Sequence, residues 1–149
     1  MPMTKPMQPP KNQPIGFWTA RAGEAVRERT QGALREIGVT QPEWWILHQL
    51  SLQSGGIDRE ETIEKIGHND TPQAVVDAIS SAAAKGWLVD SGSQLHATDA
   101  GVEKFQQASE LQRQLNEERM QGISEDDYVT TIRVLQRTIE NVGGSAWHW

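Results

Sequence analysis

"DTPQAVVDAISSAAAKGWLV", residues 70–89, is the stretch whose reading decides the fold. Thr71 is a good N-cap, Pro72 suits the first helical position, and Gly86 suits a left-handed stop. The run is therefore expected to form a helix from Thr71 to Lys85 that leads directly into a strand. Val75, Ile79 and Ala82 or Ala83 recur at helical spacing and give the helix one apolar stripe. Its other face carries Gln73, Asp77, Ser80, Ser81 and Ala84. One lysine, Lys85, stands in the whole segment against two aspartates, Asp70 and Asp77.

Working outward, apolar residues at Ile15, Trp18, Ala22, Val26, Ala33 and Ile37 repeat with helical spacing, and Gly38 is a natural stop. "VTQPEWWILHQLSL" (39–52) predicts a second helix capped by Thr40. "SGG" breaks it, and Asp58 caps a short third helix, "REETIEKIG" (59–67). Downstream, "WLVDSGSQLHAT" (87–98) reads as a small hairpin with a Ser-Gly turn. Thr98 or Asp99 opens a long helix through Val102, Phe105, Ala108, Leu111, Leu115 and Met120, ending near Gly122. Ser124, followed by Asp127, forms a weak capping box for the last helix. Tyr128, Ile132, Leu135, Ile139 and Val142 then alternate steps of four and three, which is a coiled-coil-like seam.

This order predicts a mainly α fold: a winged helix-turn-helix (three helices plus a short β-hairpin wing) flanked by long dimerisation helices. The corresponding boundaries are a mobile arm over 1–14, a dimerisation helix over 15–38 and the winged helix over 39–101. Further dimerisation helices span 102–143, and a tail spans 144–149. A sustained heptad seam seeks a partner helix, so a homodimer is expected.

The 149 residues contain no cysteine, which removes disulfides, thiolate metal sites and cysteine nucleophiles. The Pro- and Gln-rich start has no apolar core and does not read as a signal peptide. No apolar run approaches the roughly 18 residues of a membrane span, so a cytoplasmic protein without membrane attachment is expected. The net charge is −6 and unevenly placed. Residues 41–101 hold only Arg59, Lys65 and Lys85 against nine acidic side chains, whereas residues 1–40 carry an excess of basic ones.

Four segments in this order resemble the MarR-type winged-helix transcription regulators. "VTQPEWWILHQL" (39–50) is similar to the family's Leu-Thr-x-x-Gln-Trp-x-Val-Leu-x-x-Leu at the start of the second helix. "AAAKGWLV" (82–89) resembles the end of its recognition helix and first wing strand. "ATDAG" (97–101) resembles the Leu-Thr-x-x-Gly after the wing, and "SEDDYVTTIRVLQRTIENV" (124–142) resembles its last dimerisation helix. The resemblance spans residues 15 to 143, and it is the ordered set rather than any one motif that is specific.

The resemblance implies a dimeric, ligand-responsive DNA-binding regulator, acting as a repressor on a palindromic operator. Its partners would be double-stranded DNA and a small aromatic or apolar effector. By position, Thr71, Gln73, Ala74, Val76, Asp77, Ser80 and Ser81 would face bases or phosphates, with Ser91, Gly92, Ser93 and Gln94 at the wing tip. Arg59, Lys65 and Lys85 are the candidate phosphate contacts. The sequence departs from the family at Asp77 and Ser81, where arginine or lysine is usual, and in a short wing without the family's Asp-x-Arg. Phosphate neutralisation supplies most sequence-independent DNA affinity, so the acidic head leaves an alternative reading beside the first. In that reading the winged helix is repurposed, binds DNA weakly or not at all, and acts by protein–protein interaction.

The effector is expected in the crevice between the dimer helices and the winged helix. Trp45 and His48 would form one wall, and Trp18 and Arg21 the other. The four histidines, His48, His68, His96 and His148, are scattered singly and show no close-spaced ligand pattern. Ser80 and Ser81 have no base nearby in sequence, and no Gly-rich phosphate cradle joins a strand to a helix. Neither metal, cofactor nor catalytic residues are therefore expected.

Overall fold

Every α-helix but the first starts on a side-chain cap in the computed structural model, which describes residues 5–147. Residues 1–4 of the N-terminal arm, and His148 and Trp149 of the tail, lie outside the described residues. Helix α1 runs Ile15–Glu36 and α2 runs Gln41–Leu52. They are followed by α3 (Arg59–Gly67), α4 (Pro72–Ala84), α5 (Asp99–Met120) and α6 (Glu125–Asn141). Thr40, Asp58, Thr71 and Ser124 each accept a hydrogen bond from the backbone amide three residues on, as the sequence predicts. The reciprocal carboxylate bond that completes a capping box is made at Thr40, where Glu43 Oε1 accepts from the Thr40 amide at 2.8 Å. Thr98 likewise accepts from the Gly101 amide at the start of α5.

The wing is larger than a hairpin. Strands β2 (Leu88–Asp90) and β3 (Gln94–Ala97) pair antiparallel, and β1 (Ile57–Asp58) adds to the other side of β3, giving the order β1-β3-β2. The register places Ile57 opposite Leu95 and Val89 opposite His96. Gly92 (φ 95°) turns the wing tip, where the Ser91 amide bonds to the Gln94 carbonyl.

Contacts divide the chain into two units, one up to Gln112 and one from Arg113. In the first, the core is built from Ile46, Leu47 and Leu50 of α2 and Val75, Ile79 and Ala82 of α4, joined by Ile63, Ile66, Leu88, Leu95 and Ala108. The apolar stripe predicted for residues 70–85 is thus buried. Helix α1 contributes only its last turns, through Thr30, Ala33 and Leu34. Its earlier apolar residues Ile15, Trp18 and Val26 are all more than 40% exposed. The second unit holds the end of α5, α6 and the tail. No residue of α6 is buried; Tyr128, Ile132 and Ile139 are exposed and Leu135 is half-buried. None of the predicted seam residues is fully buried among the described residues.

Before α1, residues 10–12 form a single 3-10 turn, and Gln13 receives a bond from the Trp18 indole at 2.7 Å. No helix among the described residues is long and apolar enough to cross a membrane.

Candidate functional site

Thr71 and Pro72 start α4 and Gly86 (φ 79°) ends it, so its apolar stripe fixes which side chains look outward. Gln73, Asp77 and Ser80 are exposed and Ala74 is half-exposed. Gln73 Nε2 donates to Asp77 Oδ1 at 2.9 Å, so the two form one polar pair on this face. Ser91, Ser93 and the half-exposed Gln94 form the wing tip. A Gln carboxamide matches the edge of adenine, and an aspartate accepts from cytosine N4.

The head's basic residues behave differently. Arg59, the first residue of α3, meets Asp90 at 3.2 Å and Glu60 at 3.4 Å. Ser81 and Lys85 turn inward to Glu43, whose side chain has no solvent exposure. Ser81 Oγ donates to Glu43 Oε2 at 2.7 Å, and Lys85 Nζ donates to Oε1 at 2.9 Å. Lys65 bonds to the neutral Gln49 side chain. The structure thus brings Gln73, Ala74, Asp77 and Ser80 together on one face, and gives Arg59 and Lys85 anionic partners within the chain.

Glu43 is the feature that sequence reasoning missed. Burial by itself raises its pKa, but the Thr40 amide, with Lys85 and Ser81, outweighs burial and holds it below the ordinary glutamate value. A carboxylate with a depressed native pKa contributes stability above its unfolded-state pKa of about 4.3, and loses it as pH falls through the lower native value. Wild-type stability is therefore expected to fall, from about pH 5 downward, more steeply than that of Glu43→Gln. Urea midpoints over a pH series measure the difference, and parallel curves would contradict it.

A cavity of about 470 Å³ opens near the C-terminal end of α2, within the first unit. Leu47, Leu50, Ala97, Val102 and Phe105 supply apolar wall, and Ser51, Gln53, His96 and Gln106 supply polar groups. His96 packs over Gly56 (φ 93°), where a Cβ would lie 2.5 Å from the imidazole. His48 does not join Trp45 in a ring pair. It pairs with Trp44, which stacks on Phe105 with centroids 5.6 Å apart and planes 5° apart. Trp45 is half-buried against the core. Trp18 and Arg21 lie on the uncovered part of α1, where Arg21 stands 4.7 Å from the Phe17 ring centre. No group of His, Asp and Glu that could hold a metal ion occurs among the described residues.

No protein-family model and no curated protein matches the chain. Solved structures do. A MarR family transcriptional regulator from Silicibacter pomeroyi superposes with a TM-score of 0.71 at 22% identity, over 86% of this chain and 92% of its own. CouR from Rhodococcus jostii, bound to p-coumaroyl-CoA, gives 0.70 at 20% identity, over 87% and 94%. A MarR family protein of Mycobacterium tuberculosis in complex with DNA gives 0.65 at 22%, over 89% and 100%.

The chain has the fold of the MarR-family regulators.

In this fold α4 leads directly into the β2–β3 hairpin, in keeping with the order of motifs in the sequence. The cavity against Phe105 adjoins both the wing strand β3 and α2, so one pocket touches the head and a helix of its core.

Proposed function

We propose that the protein is a ligand-responsive DNA-binding regulator that works as a homodimer on a palindromic operator, as a repressor. The observation that carries this is the outward face of α4: Gln73, Ala74, Asp77 and Ser80 stand clear of the core beside the wing, on a fold whose Mycobacterium tuberculosis neighbour was solved with DNA. In this reading those residues select sequence, Thr71 and the wing residues Ser91, Ser93 and Gln94 meet the backbone, and Ser81 and Lys85 hold α4 in place. The exposed rows on α1 and α6 supply the dimer interface.

A salt series tests it. Each phosphate neutralised contributes about −0.9 to the slope of log affinity against log salt. With Arg59 and Lys85 paired inside the chain, Lys65 from two heads gives a slope of only about −2, which the basic arm residues Lys5 and Lys11 would steepen. Asp77→Arg is expected to raise affinity for all duplexes about tenfold, and Gln73→Ala to relax sequence choice. If no duplex binds even at low salt and Asp77→Arg restores nothing, the head does not read DNA. The inward pairing of Arg59 and Lys85 favours the second reading in that event, with the acidic head docking a basic partner protein.

The effector is assigned to the cavity, as a small aromatic or apolar molecule lying against Phe105, Leu50 and Val102. The volume suits a ligand of this size, and neighbours with this fold were solved with p-coumaroyl-CoA and with salicylic acid. Stacking of Trp44 on Phe105 makes indole fluorescence the reporter. In a titration with salicylate and p-coumarate, Phe105→Ala is expected to weaken binding about tenfold, and Val102→Trp to abolish it by filling the space. Full affinity in both variants, with loss in Trp45→Ala or Trp18→Ala, would move the ligand to the wall formed by Trp45, His48, Trp18 and Arg21.

A further inference from the structure

We propose that Glu43 is the registration residue of the reading helix: it pins the last turn of α4 to the start of α2 and, through Lys85, to the end of α1. This rests on α4 being the element that reads DNA. Glu43 receives three bonds from two elements, from the Thr40 amide ahead of α2 and from Ser81 and Lys85 at the end of α4. Lys85 carries the connection onward, because its ammonium also donates to the Gly38 carbonyl at 3.0 Å and lies 4.8 Å from the centre of the Trp87 ring. Lys104 of α5 approaches the same ring at 5.7 Å and donates to the Ile37 carbonyl at 3.0 Å. The two carbonyls that follow α1 are thus held by cations from two other segments, a favourable arrangement at a helix C-terminus.

Net stability is a weak reason for such an arrangement, since a buried ion pair rarely outperforms a well-packed apolar pair. Geometry is a stronger one. Ser81 and Lys85 are four residues apart on one face of α4, so bonds from both to a single carboxylate fix the helix against sliding and against rotation. A slip of one residue moves each side chain about 1.5 Å along the axis and about 100° around it, which breaks both bonds. Gln73, Asp77 and Ser80 ride on the same rigid helix, and recognition groups must be held within roughly 0.5 Å and 10–20° to be productive. Glu43 touches no ligand. It acts through α4, as a positioning residue.

The test uses the full chain and the variants Glu43→Gln, Lys85→Met and Lys85→Arg. Amide hydrogen exchange reports on residues 81–86, with residues 99–112 of α5 as the internal reference. Sequence preference is read as the ratio of affinities for duplexes enriched from a random pool and for shuffled duplexes. Glu43→Gln and Lys85→Met are expected to speed exchange at 81–86 at least tenfold while α5 stays within twofold. Both are also expected to cut the preference ratio at least fivefold, with shuffled-duplex affinity unchanged in Glu43→Gln. Lys85→Arg, which keeps the cation, should stay closer to wild type than Lys85→Met in both measurements. Unchanged exchange at 81–86, equal loosening of every element, or an intact preference ratio despite a loosened last turn would overturn the proposal. If the wild-type protein prefers no duplex, the DNA reading fails by itself, and the exchange measurement alone decides whether Glu43 registers α4.

Discussion

Ile132→Glu combined with Ile139→Glu is expected to turn the proposed dimer into a folded monomer. The two side chains are 37% and 41% exposed within the chain, so the double variant removes little internal packing. Leu135, between them on α6, is half-buried already and is left in place for that reason. Against a partner helix, each isoleucine would contribute about 1.5–3 kcal/mol by burial, and a carboxylate in its place adds a desolvation cost. Loss of about 4 kcal/mol corresponds to roughly a thousandfold weaker association. Sedimentation velocity measures the mass and circular dichroism the retained helix. A wild-type protein that sediments as a monomer at micromolar concentration, or a double variant that stays dimeric, would exclude the α6 seam as the interface.

The second large effect is expected at Gly101. A Cβ at this position would lie 1.9 Å from the Trp87 carbonyl oxygen and 2.8 Å from its carbon, and both are backbone atoms. The same carbonyl accepts the Thr98 amide, and the Thr98 hydroxyl donates to the Gly86 carbonyl at 2.5 Å, so the start of α5 is tied to the chain between α4 and the wing. Alanine cannot be accommodated without separating these segments. We expect Gly101→Ala to cost about 3 kcal/mol or more, a drop of roughly 6–12 °C in Tm for a chain of this size. A melting temperature within about 2 °C of wild type would show that the junction yields freely. The glycine that closes "ATDAG" is thus explained by contact rather than by backbone conformation, since its φ is not positive.

The helices were legible in the sequence because their signals are local. Thr40, Asp58, Thr71 and Ser124 each announce a start within three residues, and the stripe of Val75, Ile79 and Ala82 repeats within two turns. Strand β1 was not legible: two residues cannot show an alternating pattern, and Ile57 finds its partner in Leu95, 38 positions away. The inward turn of Ser81 and Lys85 was hidden for the same reason, because their common acceptor lies 38 and 42 residues upstream. "TQPE" at 40–43 does carry the capping-box spacing, a local signal for Glu43 that the reading of Thr40 as a plain N-cap passed over. In the candidate ligand wall, Trp45, His48 and Leu52 share a helix face by spacing. His48 also stands four residues after Trp44, and it is these two rings that pair, with Phe105 of α5 near both.

On the proposed DNA reading, an approaching duplex meets Arg59 already facing Asp90 and Lys85 already turned to the buried Glu43. Long-range attraction, which speeds many DNA-binding proteins to their sites, is therefore weak here. The encounter should proceed at an unsteered rate of about 10⁵–10⁶ per molar per second, and added salt should change that rate little. For such a protein occupancy of a site depends on how slowly it leaves. An effector that releases it would be read out in stopped-flow experiments as a faster departure, with arrival unchanged.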